Sequence, residues 1–419
     1  MGHQLKIINI VIMIAALSIL PGCWDQTGLD KKVFVIGLGM DKSEESGKIE
    51  ITYLISNAET GTTQAAGAIQ ETGIQTITIR ASDLISIRNT ANAVIAREIS
   101  YDLLQVIVVS EELAREKDFI RFIYNASKDR EIKRNAFLMV SKEKAADFLA
   151  NNKPTMLTRP HKFYENMMRR GIETGLIPDS QLHHFFRITE EDANLFLGMY
   201  VTTEIKMDKE KFRVNENDAL AGEMKFEGKT NNAEFLGAAV FLEGQMIGTF
   251  SGVENRIVML INKAFETTDI LSVYPDPFME GYQMAIRLKK LKDSDVHLDL
   301  SKQSPKIRVT LPLVAEVMSD PGMKNPAESK EKIDKIRRYL ENEIADQVNG
   351  VVKKTQEEYK AEPFGWSLYA RKEFRTLKEY MAFDWMKTYP RMDVEVDVEL
   401  RFGEFGRQPK IPTYEGIRD

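Results

Sequence analysis

The arrangement of apolar and polar residues after position 31 predicts strands that follow one another closely. Residues 32–41 are rich in β-branched side chains and end in glycines, as a strand does before a turn. Residues 48–57 alternate apolar and polar side chains, which predicts a half-buried strand. The polar stretch between them ends in glycine, so the two strands are expected to form a hairpin. Residues 58–73 have few large side chains and no periodicity, which predicts a loop.

Strands and helices then alternate up to residue 151. Serines at the predicted helix starts are expected to accept hydrogen bonds from the free N–H groups of the first turn. This alternation is typical of an α/β fold, in which helices cover a mixed sheet. The predicted strands are 74–81, 103–110 and 135–141, and the predicted helices are 81–99, 110–127 and 141–151, with Ser82, Ser110 and Ser141 as N-caps.

The middle of the chain differs in composition from the segments on either side. Residues 159–188 are rich in Phe and Met and predict helix and turn, whereas 195–207 returns to a strand pattern. The stretch 208–232 is mostly charged, and a domain boundary is expected in such a polar linker.

The last part of the chain predicts further strands and one long helix. Two strands joined at Glu243–Gln245 form a predicted hairpin, followed by a helix with Val253 and Ile257 on its apolar face. Residues 325–360 predict the long helix. Its apolar stripe is expected to pack into a core, a groove for a partner helix being the alternative; it comprises Ile333, Ile336, Leu340, Ile344, Val348 and Val351. The other predicted strands are 282–291, 295–300, 306–317 and 392–402.

These patterns together predict a multi-domain α/β protein with mixed sheets covered by helices. At 419 residues, the chain is too long for one ordinary hydrophobic core. The expected regions are a signal peptide at 1–22, an N-terminal α/β domain at 23–150, a small middle domain at 151–225, and a C-terminal α/β domain at 226–408 with the long helix at about 325–360.

The N-terminus has the pattern of an export signal. Lys6 precedes an almost uninterrupted apolar run at residues 7–20. As a helix, this run would reach only about 21 Å, whereas a bilayer core of about 30 Å needs roughly 20 apolar residues. A cleaved signal peptide is therefore favoured over a permanent membrane span.

The only cysteine of the chain stands where this apolar run ends. Cys23, with Leu20 three residues before it and Gly22 directly before it, resembles a bacterial lipobox, from which Pro21 departs. The resemblance implies attachment of a diacylglycerol to the Cys23 sulfur, cleavage before Cys23 and usually N-acylation of the new terminus. Two or more acyl chains anchor a protein stably in a membrane. A buried thiol, or cleavage without lipid attachment, is the alternative.

Composition and charge describe a folded body and argue against nucleic acid as a partner. Hydrophobic residues make up 43% of the chain and charged residues 29%. A chain that begins at Cys23 has 397 residues, which is 419 minus 22, and loses one lysine, so its net charge is −7. Acidic and basic residues are mixed along it, without the basic stripe of a nucleic-acid-binding protein. With one cysteine it can form no internal disulfide, so its core must hold it together.

No residue pattern indicates a catalytic, cofactor or metal site. His183 and His184 are adjacent, and adjacent residues do not share a helix face, so they make a poor metal-binding pair. Residues 37–47 contain G-x-G after a strand but lack the third glycine of a dinucleotide-binding turn. The S-x-x-K pattern at 141–144 is better explained by a helix cap at Ser141. We therefore expect a protein that is not an enzyme and has no cofactor other than the covalent lipid on Cys23.

Five separated stretches resemble, in order, the Ger(x)C family of spore-germination lipoproteins. The first is residues 22–43, where a cysteine, a tryptophan and an aspartate precede a strand that runs into G-x-G-x-D. Residues 237–256 resemble the start of the C-terminal domain of that family, with a G-x-A-V-F strand, a turn and a strand carrying I-G-x-F. The remaining stretches are 363–374, 384–390 and 393–406. Residues 27–30 depart from the family, in which many members have an acidic residue followed by an apolar one.

The resemblance implies a three-domain α/β protein that is the C-type subunit of a nutrient germinant receptor. Such a subunit is held by its lipid on the outer face of the inner membrane of a bacterial endospore, together with two multi-pass membrane subunits. The receptor responds to small nutrients such as amino acids or sugars and starts germination. The resemblance carries over no catalytic residue. Which nutrient acts, and whether this subunit contacts it, stays open.

Two other classes of function are the alternatives. A lipid-anchored solute-binding protein would capture a small nutrient directly in a cleft between two lobes. An anchored hydrolase would act on cell-wall material. A further hypothesis concerns Trp24 and Asp25, which follow the lipid-bearing cysteine and would orient the body at the headgroup layer.

Overall fold

The structure is a computed structural model, which describes most of the chain after residue 30. The described residues are 2, 4, 9, 31–56, 74–153, 160–191, 194–204, 218–224, 231, 233–265, 270–300, 304–406 and 410–418. Most of the predicted signal peptide, the predicted loop at 58–73 and most of the charged stretch at 208–232 lie outside them.

One large sheet contains nine of the described strands. They are β1 Lys32–Lys42, β2 Ile49–Ser56, β3 Ile74–Ala81, β4 Glu98–Ser100, β5 Val106–Ser110, β6 Phe137–Ser141, β7 Phe196–Thr202, β8 Glu234–Leu242 and β9 Gln245–Phe250. Their order across the sheet is β3-β2-β1-β5-β6-β7-β8-β9, with β4 beside the beginning of β1. Strands β1, β4, β5, β6 and β7 are parallel, and antiparallel pairs extend the sheet on both sides.

A second sheet is built around one long central strand. Its strands are β10 Ile270–Pro275, β11 Gln283–Lys290, β12 Asp295–Asp299, β13 Lys306–Val317 and β14 Asp393–Phe402. Strands β11 and β12 pair with successive halves of β13 on one side, and β14 lies parallel to β13 on the other.

Most of the described helices are short, and one is long. They are α1 Ile87–Ala91, α2 Glu111–Ala114, α3 Phe119–Ile123, α4 Ala145–Asn151, α5 Pro160–Glu173, α6 Leu182–Thr189, α7 Gly252–Ile261, α8 Lys330–Lys354, α9 Trp366–Ala370, α10 Leu377–Phe383, α11 Trp385–Thr388 and α12 Tyr414–Arg418. A π-helical turn, Thr355–Tyr359, continues α8. Among the described residues, no helix combines the length and apolar composition needed to cross a bilayer.

Both faces of the large sheet are covered, as the alternation in the sequence predicts. Helices α4 and α5 bury Phe148 and Met168 against one face, and α3 and α6 bury Phe119 and Phe185 against the other. The second sheet has its own core, in which α8 packs on the inner face of β13 and β14. The fold class is confirmed: mixed sheets are covered by helices in a protein with more than one core.

The apolar stripe of the long helix is core packing, as predicted. Ile336, Leu340, Ile344 and Val348 are buried in the second core, together with Val351, whereas Ile333, the first residue of the predicted stripe, is only partly buried. The α-helix itself runs from Lys330 to Lys354, inside the predicted span of 325–360. Strand β10 was not predicted from the sequence.

The prediction of one helix over 81–99 is wrong. Only Ile87–Ala91 is helical, and Ser82 caps nothing, because Asp83 Oδ1 accepts the N–H groups of Ile85 and Ser86 in a local turn. Residues 98–100 instead join the large sheet as β4. Pairing with β1 thus overrides the helical spacing of the apolar residues.

The prediction for 110–127 is partly confirmed. Ser110 caps α2, since its side chain accepts the Leu113 N–H at 3.4 Å. The helix is interrupted after Ala114, however, and resumes as α3 at Phe119.

The large sheet runs through all three regions that were expected as separate domains. Strands β1 to β6 come from 23–150, β7 from 151–225, and β8 and β9 from 226–408. The expected boundaries at 150 and 225 therefore do not coincide with an end of this sheet. As a division into domains, they stay a prediction.

Candidate functional site

The residues predicted to anchor the chain, Cys23, Leu20 and Gly22, lie outside the described residues, as do Trp24 and Asp25. The structure does describe where the chain that follows them enters the fold. Lys32 begins β1 and pairs with Glu98, which begins β4. The parallel strands of the large sheet all begin on one side of it. We call this side, where the first residues of β1, β4, β5, β6 and β7 lie, the starting edge.

The two glycines of G-x-G-x-D allow helix α4 to lie directly on β1. A Cβ atom on Gly39 would stand 3.1 Å from Leu149 Cδ1 and 3.3 Å from Ala145 Cβ, and one on Gly37 would stand 3.4 Å from Leu149 Cδ2. A side chain at Gly39 would crowd Leu149 and Ala145 of the helix, and one at Gly37 would touch Leu149. The pattern therefore serves helix packing.

Asp41, the last residue of that pattern, caps the same helix. Its Oδ1 accepts the Ala145 N–H at 2.7 Å and its Oδ2 accepts the Ala146 N–H at 2.9 Å. Burial raises the pKa of the Asp41 carboxyl, while these hydrogen bonds act in the opposite direction. The prediction of Ser141 as N-cap is wrong, because its hydroxyl donates to the Glu143 carbonyl instead.

The I-G-x-F stretch of β9 receives the turn that ends the long helix. A Cβ atom on Gly248 would stand 2.5 Å from Tyr359 Cε1, so only glycine leaves room for that ring. The Tyr359 hydroxyl donates to the Thr249 carbonyl at 2.8 Å and accepts the Thr249 N–H at 3.2 Å. This motif therefore joins the long helix of the second core to β9, the outermost strand on one side of the large sheet.

Lys354 adds an ion pair to the same junction. Its Nζ donates to both carboxylate oxygens of Glu254 at 2.8 Å and to the Thr249 carbonyl at 3.0 Å. About a quarter of each charged side chain is exposed, 24% for the lysine and 25% for the glutamate. Helix α8 is thereby tied to both α7 and β9.

Glu362 makes a second junction, at the beginning of β7. Its carbonyl accepts the Leu195 N–H at 3.0 Å. Its carboxylate accepts the N–H groups of Phe364, Gly365 and Ser367 at 2.6, 2.8 and 2.9 Å. Burial raises the pKa of Glu362 to about 7, although these hydrogen bonds lower it.

The register of the parallel strands places the Glu362 junction at the starting edge. Gly37 pairs with Val106, Val106 with Phe137, and Met139 with Met199, so β1, β5, β6 and β7 run side by side in one direction. Asn194 and Leu195 come just before β7. The junction and the entry of the chain at Lys32 therefore lie at the same edge of the sheet.

A surface segment of distinctive composition follows helix α9 at this junction. Residues 371–383, which we call the basic–apolar segment, include helix α10. Leu377 and Met381 are 58% and 57% exposed, whereas Tyr380 and Phe383 are only partly exposed and pack on the second core. The basic residues are Arg371, Lys372, Arg375 and Lys378.

The described titratable residues form no recognisable metal site. Within the part of the chain that the structure describes, no group of three His, Cys, Asp or Glu side chains could hold a metal ion. The rings of His183 and His184 lie 4.0 Å apart, and burial, followed by the neighbouring His183, lowers the pKa of His184.

Sequence reasoning missed the roles of Asp41, Glu254, Lys354 and Glu362. Asp41 and the Lys354–Glu254 pair act on groups 104 and 100 residues away in the sequence, whereas the Glu362 carboxylate accepts N–H groups two to five residues away. Local signals exist for Glu254 and Glu362. Ser251 and Glu254 have the spacing of a capping box, and Gly365 with φ +75° marks a turn beside Glu362 that needs its N–H groups satisfied.

Two sequence models of protein families match the chain in succession. The family described as "Spore germination protein N-terminal domain" matches residues 25–201. The family described as "Spore germination B3/ GerAC like, C-terminal" matches residues 236–406.

Several individual proteins are also similar to the chain. "Spore germination protein B3" of Bacillus subtilis (strain 168) is 21% identical over 409 residues, covering 94% of this chain and 97% of that protein. "Spore germination protein KC" of the same organism is 23% identical over 169 residues, 40% of each chain. "Putative spore germination protein YfkR" is 21% identical over 394 residues, 92% of this chain and 93% of its own. The crystal structure of the GerBC protein covers 87% of this chain and 96% of its own, at 15% identity and a TM-score of 0.49.

Proposed function

The chain belongs to the GerAC-like family of spore germination proteins, and on that premise we propose that it is a lipid-anchored subunit of a nutrient germinant receptor. It acts by assembling with two multi-pass membrane subunits on the outer face of the spore inner membrane. It is required there for germination triggered by nutrients.

The observation that carries the proposal is the position of the family matches relative to the single cysteine. The first match begins at residue 25, two residues after Cys23, and the second ends at residue 406. The family-matched body thus starts directly after the predicted lipid site. This supports the reading of Cys23 as the first residue of the working protein.

The charged side chains of the helix cap and of the two junctions make their contacts within the chain, which accounts for them without a catalytic role. The carboxylates of Asp41 and Glu362 accept backbone N–H groups of the chain itself, and Lys354 pairs with Glu254. These side chains therefore form their hydrogen bonds and ion pairs with other parts of the same chain.

The anchor is tested by the intact mass of the protein purified from membranes, beside a Cys23→Ala variant in a germination assay. We expect a mass for residues 23–419 plus lipid. We also expect loss or weakening of nutrient-triggered germination in the variant, with protein levels matched by immunoblot. An unmodified mass together with normal germination of the variant would contradict the proposal.

The assembly is tested by purifying the protein from spore membranes in mild detergent. Two multi-pass membrane proteins should copurify in stoichiometric amounts. Copurification of neither, together with a nutrient-dependent rise in the Tm of the isolated protein, would favour direct nutrient capture instead.

A further inference from the structure

We propose that the starting edge of the large sheet faces the bilayer and that the basic–apolar segment makes a second contact there, with anionic phospholipid. The inference rests on the proposed lipid anchor at Cys23, because the anchor brings this edge to the membrane. It adds a docking surface of defined orientation to the proposed lipid anchor.

The path of the chain brings the starting edge close to the anchor. Cys23 precedes Lys32 by nine residues, and nine extended residues span at most about 30 Å. Lys32 lies at the starting edge, because it begins β1 and pairs with the first residue of β4. The far edge, where β1 ends at Lys42, is a whole strand further from the anchor.

The basic–apolar segment lies at this same edge. Three strand spacings of about 4.8 Å separate β1 from β7, roughly 14 Å across the sheet. Just before β7, Asn194 Oδ1 accepts the Ser367 hydroxyl at 3.0 Å, which fixes α9 at the edge. Tyr380, on the inner side of α10, lies within hydrogen-bonding reach of the Ser367 side chain, and burial and the charge of Glu362 raise its pKa.

The exposed side of the segment is apolar where it could enter a headgroup layer. Leu377 and Met381 are more than half exposed and stand one helical turn apart, with Lys378 on the same outer side of α10. Val94, 70% exposed, lies in the turn that leads into β4 and so belongs to the same edge. Single exposed apolar residues are ordinary, but these are gathered at the edge nearest the anchor.

The charge of the segment favours anionic lipid as the occupant. The segment 371–383 contains four basic residues and two acidic residues, a local net charge of +2, in a chain whose net charge is −6. Lys31 and Lys32 add two more basic residues at the edge. Lysine is depleted in the cores of protein–protein interfaces, whereas interfacial helices place Lys beside apolar residues so that its stem is buried and its charge reaches the headgroups. The pattern around Lys378 matches the second case.

The test is a depth measurement on the full-length, lipidated protein. Because the lipid occupies Cys23, a Met381→Cys variant carries one free thiol, which takes an environment-sensitive fluorophore. The protein is reconstituted in vesicles of phosphatidylglycerol and phosphatidylcholine that contain a lipid-borne quencher. We expect quenching at least twofold stronger than for the same label at Glu44→Cys, an exposed site beyond the far end of β1.

Charge variants test the lipid class. In the Met381→Cys protein, Lys372→Glu with Lys378→Glu should reduce quenching by half or more in phosphatidylglycerol vesicles. In vesicles of phosphatidylcholine alone, the Met381→Cys protein with both lysines intact should show the same reduction in quenching. Lys353→Glu, a like charge change at an exposed residue of α8, is the matched control and should leave quenching unchanged.

Three contrary outcomes would overturn, in turn, the docking surface, the lipid as its partner, and the anchor. Equal quenching at positions 381 and 44, in protein whose mass shows the lipid, overturns the docking surface and leaves the proposed function standing. A fluorescence change at 381 that appears only with the multi-pass subunits overturns lipid docking in favour of a protein interface. Protein that carries no lipid and does not float with vesicles overturns the anchor and, with it, the inference.

Discussion

Among single residues, Glu362 couples proton binding to the stability of the fold. Its ordinary pKa of 4.5 is raised to about 7 in the folded protein because the carboxyl group is fully buried. The folded state therefore binds this proton more tightly than the unfolded state does. The corresponding stabilisation is complete below about pH 4.5 and is lost as the pH rises through 7, a change of about 3 kcal/mol.

A Glu362→Gln variant should lose this pH dependence. We expect the free energy of unfolding of the wild type to fall by about 2–3 kcal/mol more than that of the variant between pH 5 and pH 8. Urea titrations at several pH values measure it, with Glu357→Gln, an exposed change on the preceding turn, as control. Parallel pH profiles for wild type and Glu362→Gln would show that the carboxyl group is not the cause.

The cap of α4 shows what the sequence could not predict at this scale. A capped helix near 141–151 was predicted correctly, but the cap was assigned to Ser141, the nearest serine. The acceptor is Asp41, which reaches the helix only because β1 lies under it. A residue 104 positions away leaves no local pattern, although the G-x-G-x-D motif contained it.

At the scale of elements, the contact between the long helix and the β8–β9 hairpin depends on one glycine. Gly248→Ala should destabilise the protein by about 1–3 kcal/mol, because its Cβ would overlap the Tyr359 ring. Gly350→Ala in α8 is the matched change, since a Cβ there meets nothing within 4 Å. It should stabilise the helix by about 0.5–1 kcal/mol. Chemical denaturation measures both, and a neutral Gly248→Ala would contradict the packing described.

Elements with long, strongly periodic patterns were predicted well. The strand at 306–317 was placed at its observed limits, and the stripe of α8 is buried as expected. The helix predicted at 81–99 was not, since pairing of residues 98–100 with β1 outweighs helical spacing there. Strand β10 was missed, although its buried and exposed positions alternate as in a half-buried strand.

At the scale of the molecule, the large sheet does not end where the first family match ends. Strand β7 finishes at Thr202, yet its outer side is covered by β8, which begins at Glu234. Residues Leu236, Ala239 and Phe241 from that part of the chain complete the first core. The two family-matched segments are therefore joined in one sheet.

A chain that ends at Thr203 should consequently fail to stay monomeric. Removing β8 and β9 exposes the backbone edge of β7, whose seven residues are all buried in the full protein. We expect aggregation in size-exclusion chromatography, whereas a chain ending at Gly406 should stay monomeric and unfold cooperatively. A monomeric, cooperatively folded chain of residues 24–203 would contradict the continuity of the sheet.

The strand order across the molecule lay beyond sequence reasoning. The hairpins at each side were predictable, since their strands are neighbours in the chain. Pairing of β1 with β5, and of β13 with β14, joins distant segments, and a pattern of apolar residues does not specify the partner strand.

The parallel pair of β13 and β14 also sets an order in time. Lys306 pairs with Asp393, so the second sheet stays one strand short until the ribosome has reached Phe402. At about 5–20 residues per second, the segment from Val317 to Phe402 takes roughly 4–17 s to make. Until β14 docks, one side of β13 is an open template for any passing strand. A chain of this family that is cut short before Phe402 should therefore associate with other chains through β13.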